Sequence, residues 1–132
     1  MGITAEAPRG GVVEEIGGVT YTFLLRLGEI ERFEDRHRGI FDVWDGFFNR
    51  GKQPNSREVR DLVALALVGG GKKDREADAI LDKATPADLL RLKQIAQAAL
   101  GVAFMPEIGG EQEKKSEQVA ETEVTASTSA GL

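Results

Sequence analysis

Two runs of β-prone residues open the chain, and almost everything after them repeats at helical spacing. Gly10-Gly11-Val12-Val13-Glu14-Glu15-Ile16 and Val19-Thr20-Tyr21-Thr22-Phe23-Leu24-Leu25-Arg26-Leu27 flank the pair Gly17-Gly18. A glycine pair supplies the positive φ angles of a tight two-residue turn, so the pattern predicts a β-hairpin. In its second strand Val19, Tyr21, Phe23, Leu25 and Leu27 alternate with Thr20, Thr22 and Arg26, the period of a half-buried strand. Leu24 breaks the alternation and points to a covered second face near the strand end. A lone hairpin is marginal in water, so its apolar side needs helices to lie on.

Ile30, Phe33 and His37 predict a helix over 28–38, and Ile40, Val43, Trp44, Phe47 and Phe48 a second one up to Asn49, with Gly39 as the break. Gly51-Lys52-Gln53-Pro54 is a turn. Asn55 followed by Glu58 has the form of a capping box, opening a helix with Val59, Leu62, Val63, Ala66 and Leu67 inward that Gly69-Gly70-Gly71 ends. Asp74 is read as the cap of a short helix bearing Ala77, Ile80 and Leu81. Thr85-Pro86-Ala87-Asp88 supplies an N-cap, a first-turn proline and a first-turn carboxylate for the last helix. That helix sets Leu89, Leu92, Ile95, Ala96, Ala99 and Leu100 along one stripe and frays between Gly101 and Pro106. The fold class is therefore α+β, predominantly helical: an N-terminal β-hairpin packed on a bundle of about five short helices.

Composition changes this picture mainly at the ends. Residues 110–132 hold no aromatic residue and carry five glutamates against two lysines, so they cannot bury enough apolar area to offset their ordering entropy. The expected organisation is a loose arm over 1–8, one domain over 9–106 and a disordered acidic tail over 107–132. With 41% hydrophobic and 30% charged residues and no long apolar run, the chain reads as soluble, and its start lacks the features of a signal peptide. No cysteine and a single histidine leave no basis for a disulfide framework or a metal centre, and no cofactor motif is found. A net charge of −5 disfavours nucleic acid as a partner, because affinity for phosphate backbones rests on clustered Lys and Arg. Proteins are the expected partners, self-association included, and no membrane.

The hairpin around Gly17-Gly18, the segment Leu25-Arg26-Leu27-Gly28-Glu29-Ile30-Glu31-Arg32-Phe33-Glu34 and the Asn-capped, glycine-ended helix over 59–68 together resemble the gene-transfer-agent branch of phage tail assembly chaperones, a branch also described as tail tube protein. The resemblance covers roughly Gly10 to Pro106. It implies a small chaperone that binds the tape-measure protein, assists tail tube assembly, works in the cytoplasm of the producing bacterium and is missing from the finished particle. No residue-level site comes with it. The alternative, a structural tail tube subunit, is set back at this stage by the strand count, since such subunits build their rings mainly on β-sheet.

Three groups of residues invite a functional reading. Phe41, Trp44, Phe47 and Phe48 concentrate the chain's aromatics in one helix and spread around more of it than one small core needs, which makes them candidate protein-binding residues as well as core. Glu29, Glu31, Arg32, Glu34, Asp35, Arg36 and Arg38 surround His37, but carboxylates and arginines three or four apart are what a solvated helix face looks like. No catalytic residue is assigned. Gly69-Gly70-Gly71-Lys72-Lys73-Asp74 lacks the spacing of a phosphate-binding loop and follows a helix, so it is read as helix termination, with room for a joint between the halves of the bundle.

Overall fold

The computed structural model describes residues 7–108. Strands β1 (Gly11–Ile16) and β2 (Val19–Leu24) pair antiparallel, with Ile16 opposite Val19 and Gly11 opposite Leu24. Gly17 and Gly18 turn the chain at φ of 58° and 81°, the left-handed region in which a side chain is strained and glycine is not. Among the described residues the longer helices that follow are α1 (Leu27–Arg36), α2 (Ile40–Phe48), α3 (Ser56–Gly69), α4 (Asp74–Asp82) and α5 (Leu89–Phe104), the last entered through a 3-10 turn over Pro86–Asp88. A hairpin on a bundle of short helices is the expected architecture.

Helix α3 is the centre of the bundle, packing on β2, α1, α4 and α5. Its expected stripe of Val59, Leu62, Val63, Ala66 and Leu67 is buried, and so are Ala64 and Leu65, because neighbours lie on several sides of it. The capping box is closed in both directions: Asn55 Oδ1 accepts from the Glu58 amide and Glu58 Oε1 accepts from the Asn55 amide, each at 2.9 Å. From β2 the core takes Phe23, from the residue just after it Leu25, from α1 Phe33, from α2 Ile40 and Val43, and from α5 Leu92, Ile95, Ala96, Ala99 and Leu100.

The glycines that end α3 also set how closely it approaches the sheet. A two-residue turn makes Ile16 and Val19 a hydrogen-bonded pair, so the carbonyls of Thr22 and Leu24 point away from β1. Those two carbonyls meet α3. A Cβ on Gly69 would press into the Leu24 carbonyl, and one on Gly70 into that of Thr22. The outer edge of β2 is thereby covered by helix backbone at a distance that only glycine permits. Leu24 is half-buried, in keeping with a second covered face at the strand end.

Several positions depart from the expected pattern, each for a local reason. Leu27 is not a strand residue: the strand ends at Leu24, Leu25 drops into the core, and Leu27 opens α1 largely exposed. Glu29 drives the change by accepting from the Arg26 amide at 3.0 Å, which starts the helix. Val19 is half exposed at the hairpin tip. Asp74 does not cap α4; Lys73 takes that position, and the Asp74 carboxylate instead pairs with Arg32 of α1 at 3.0 Å. Leu89, intended for the buried stripe of α5, is partly exposed because the turn before it is 3-10. Arg32–Asp74 and Arg60–Asp82, the latter at 2.8 Å, are largely exposed ion pairs that link α4 to α1 and α3. The loose arm and acidic tail expected over 1–8 and 107–132 fall, apart from Ala7, Pro8, Glu107 and Ile108, outside the described residues.

Two buried carboxylates give the fold a pH dependence. Glu29 and Glu58 are nearly inaccessible to solvent. Burial raises the pKa of each, but Arg26 through its side chain and amide outweighs this at Glu29, and Asn55 and Arg38 outweigh it at Glu58, so both end below the ordinary 4.5. A carboxyl whose folded pKa is depressed adds stability that is complete above its unfolded value and is lost as pH falls through the folded one. Thermal melts are therefore expected to be flat in pH down to about 4.5 and to fall below it. In Glu58→Gln the melting temperature is lower at neutral pH and the acid decline shallower.

Candidate functional site

The aromatic residues of α2 divide between core and surface. Ile40, Val43 and Gly46 face inward, Phe47 and Trp44 are half-buried, and Phe41 and Phe48 are 72% and 41% exposed. The helix lies against the C-terminal end of α5, where the Trp44 ring stacks on Phe104 at 4.9 Å and Phe41 meets the same ring edge-on at 5.8 Å. Phe48 reaches Trp44 at 4.2 Å and sits over Gly101, where an added Cβ would lie 3.3 Å from its ring. The result is a continuous aromatic surface; Met105, the residue after Phe104, is 40% exposed. Interfaces favour rings of this kind, which offer large area at small loss of conformational freedom.

Phe104 and Met105 were not singled out from sequence. Helix α5 ends at Phe104, inside the window where fraying was expected, and it keeps that ring on the helical lattice four residues after Leu100. The usable signal was this spacing, which continues the stripe Ala96, Leu100, Phe104.

The charged residues of α1 are mostly not satisfied along their own helix. Arg26 holds Glu29 at 2.8 Å, Arg32 reaches Asp74, and Arg38 reaches Glu58 at 2.8 Å. Glu34 accepts from the Ile40 amide at 2.8 Å and so caps α2. His37 Nε2 lies 2.7 Å from Asp61 and its ring packs on Phe33 at 4.6 Å. These residues line a shallow cavity of about 100 Å³ with Arg32, Arg36, Asp74 and Asp78. It holds no Ser, Thr, Cys or Lys beside the His–Asp pair that could act as a nucleophile. No group of three or more potential ligands suited to a metal ion is found among the described residues. Gly69-Gly70-Gly71-Lys72 forms no phosphate cradle; it is the end of α3, with Gly71 at φ 116°.

The decisive comparison is with protein families. Residues 9–106 match the family described as phage tail tube protein, GTA-gp10. The chain belongs to this family. No curated protein and no solved structure gives a significant match. Membership of this tail family agrees with the phage and gene-transfer-agent resemblance, and it corrects the role that had been attached to it. The family's description names a tail tube protein and not an assembly chaperone, so the expectation of a cytoplasmic chaperone that leaves before the particle is finished is overturned. The reason lies in what the recognisable residues do: the Gly17-Gly18 turn, the entry into α1 and the glycine end of α3 fix a fold and say nothing of whether its owner stays in the particle. No helix among the described residues of this tail-family member is long and apolar enough to cross a membrane.

Proposed function

We propose that this protein is a structural subunit of the tail tube of a phage-like particle of the gene-transfer-agent type, retained in the finished particle and not an enzyme. The observation that carries the reading is the family match over 9–106, which takes in both strands and helices α1 to α5. The exposed aromatic surface of α2 and α5 supports it, since a subunit of an assembly needs apolar area left over after its own core is packed. Its partners on this reading are proteins of the tail, further copies of itself and the tape-measure protein among them. The acidic chain, at net charge −5, suits protein neighbours better than nucleic acid.

Immunogold labelling of purified particles tests the assignment. A tube subunit places label along the length of the tail. Unlabelled tails, from a preparation in which antibody detects the protein in the producing cells, would overturn it.

A further inference from the structure

The aromatic surface lies where the chain leaves α5, and charge changes sign along it. Helix α2 sets Phe41 against Phe104, the last residue of α5, and Phe48 over Gly101. The chain therefore leaves α5 at the Phe41 end of this strip, and Ile108, the last described residue, is four positions beyond Phe104. Asp42 and Asp45 are exposed on α2, the second of them accepting from Asn49 at 2.8 Å. Past Phe48 come cations. Arg50 and Lys52 follow the helix and Arg57 opens α3; all three are exposed, and none forms an ion pair among the described residues. Lys52 and Pro54 lie against Gly46, so their loop stays beside α2, and Lys93 of α5 reaches Gln53 of the same loop at 3.1 Å. Arg38 is already taken by Glu58.

We propose that the chain's own C-terminal segment, residues 114–124, docks on this strip and covers it in the free protein. Lys114 and Lys115 come first in the segment, then Glu117, Glu121 and Glu123, with Val119 and Val124 as its larger apolar residues. The order of signs matches that of the strip. The lysines meet Asp42 and Asp45 near the chain's exit and the glutamates meet Arg50 and Lys52 at the far end, which lays the valines over the exposed rings of Phe41 and Phe48. Glu111 and Glu113 belong to the link from Ile108. Reach is sufficient: the link to Lys114 spans up to about 20 Å when extended, against about 10 Å from Phe41 to Phe48 along the helix. Tethering favours this occupant over a separate chain, because a linked segment meets its site at an effective concentration on the order of millimolar. Two valines bury little area, so the cover is weak and gives way to a partner with larger apolar side chains. The family match ends at residue 106, which places the segment outside what the family model describes. The contact does not depend on the tail-tube reading; on that reading its consequence is that the strip opens only where a neighbouring tail protein displaces the segment.

Trp44 is the only tryptophan of the chain and stacks within the strip, so acrylamide quenching of its fluorescence in the full chain reads the cover directly. In the unaltered protein the quenching constant is expected to rise about twofold as salt increases from about 0.05 to 0.5 M, because the charge contacts are screened. Glu117→Lys/Glu121→Lys/Glu123→Lys and Val119→Asp/Val124→Asp, each folded by circular dichroism, should show the higher constant already at low salt. Arg50→Glu/Lys52→Glu should do the same, and combining it with the three glutamate reversals should restore the shielding, since opposite signs then meet again. Quenching that is equal in all variants, or a combined variant that fails to recover, overturns the cover. Shielding that grows with protein concentration also overturns it, because a second copy and not the linked segment is then the occupant. Particle location does not enter: unaffected variants leave the tube reading standing, and unlabelled particle tails leave the cover standing.

Discussion

Gly69→Ala and Gly70→Ala each destabilise the protein by about 3 kcal/mol or more, the upper range for forcing an extra methyl into a packed site. Two effects oppose one another here. Gly69 is the last residue of α3 and Gly70 its C-cap, neither at positive φ, so helix propensity favours alanine by at most about 1 kcal/mol. Against this, the new methyl at Gly69 would overlap the Leu24 carbonyl and stand 2.8 Å from Glu29 Oε1, and at Gly70 it would overlap the Thr22 carbonyl. The obstacle is strand backbone, which cannot rotate aside as a side chain can, so overlap wins and the hairpin must lift from α3. Gly28 provides the control. It lies in α1 with nothing within 4 Å of an added Cβ, so Gly28→Ala is expected to stabilise by about 0.5 to 1 kcal/mol. Chemical denaturation of the three variants checks the opposite signs. A domain of this size has roughly 5 to 15 kcal/mol in all, so a loss of 3 is easily read.

The second large loss is expected for Arg38→Ala, again about 3 kcal/mol, the range for removing one partner of a buried ion pair. Arg38 joins three parts of the molecule. Its Nε donates to Glu58 Oε2 at 2.8 Å, and its Nη2 donates to the Lys52 carbonyl at 2.7 Å in the loop that leads into α3. Without it Glu58 keeps only the Asn55 amide as a donor, and a carboxylate that is only 5% exposed is left without its counter-charge. Most of the loss is that stranded charge, so Arg38→Ala combined with Glu58→Gln should recover part of it, a non-additivity that a double-mutant cycle measures. Equal losses in the single and double variants would place Arg38's contribution in the loop contact to Lys52.

What the sequence disclosed and what it hid follow from how local each feature is. The hairpin was legible because Gly17-Gly18 and the alternation beside it are encoded within a dozen residues. The Asn55/Glu58 box, the stripe of α3 and most of that of α5 were legible for the same reason. Leu27 was misassigned because an alternating apolar residue next to a helix start satisfies both periods, and the choice is made by Glu29 reaching back to Arg26. Asp74 was assigned to a cap when its carboxylate is claimed by Arg32, a residue 42 positions away. Glu58 was legible as a cap, but its burial and its partner Arg38 depend on how α1 crosses α3. The same holds for the aromatic surface: Phe41, Trp44, Phe47 and Phe48 were found by their density in one helix, whereas Phe104 joins them only through the packing of α5. Role was the least legible feature, because structural glycines and caps are shared by any protein with this fold, whether it stays in the particle or leaves.

Quantitative mass spectrometry of purified particles beside the lysate of the producing cells tests the tail-tube assignment most directly. A tube subunit is present at many copies per particle, in fixed proportion to the other tail proteins. Protein abundant in the lysate and missing from the particles would contradict the assignment.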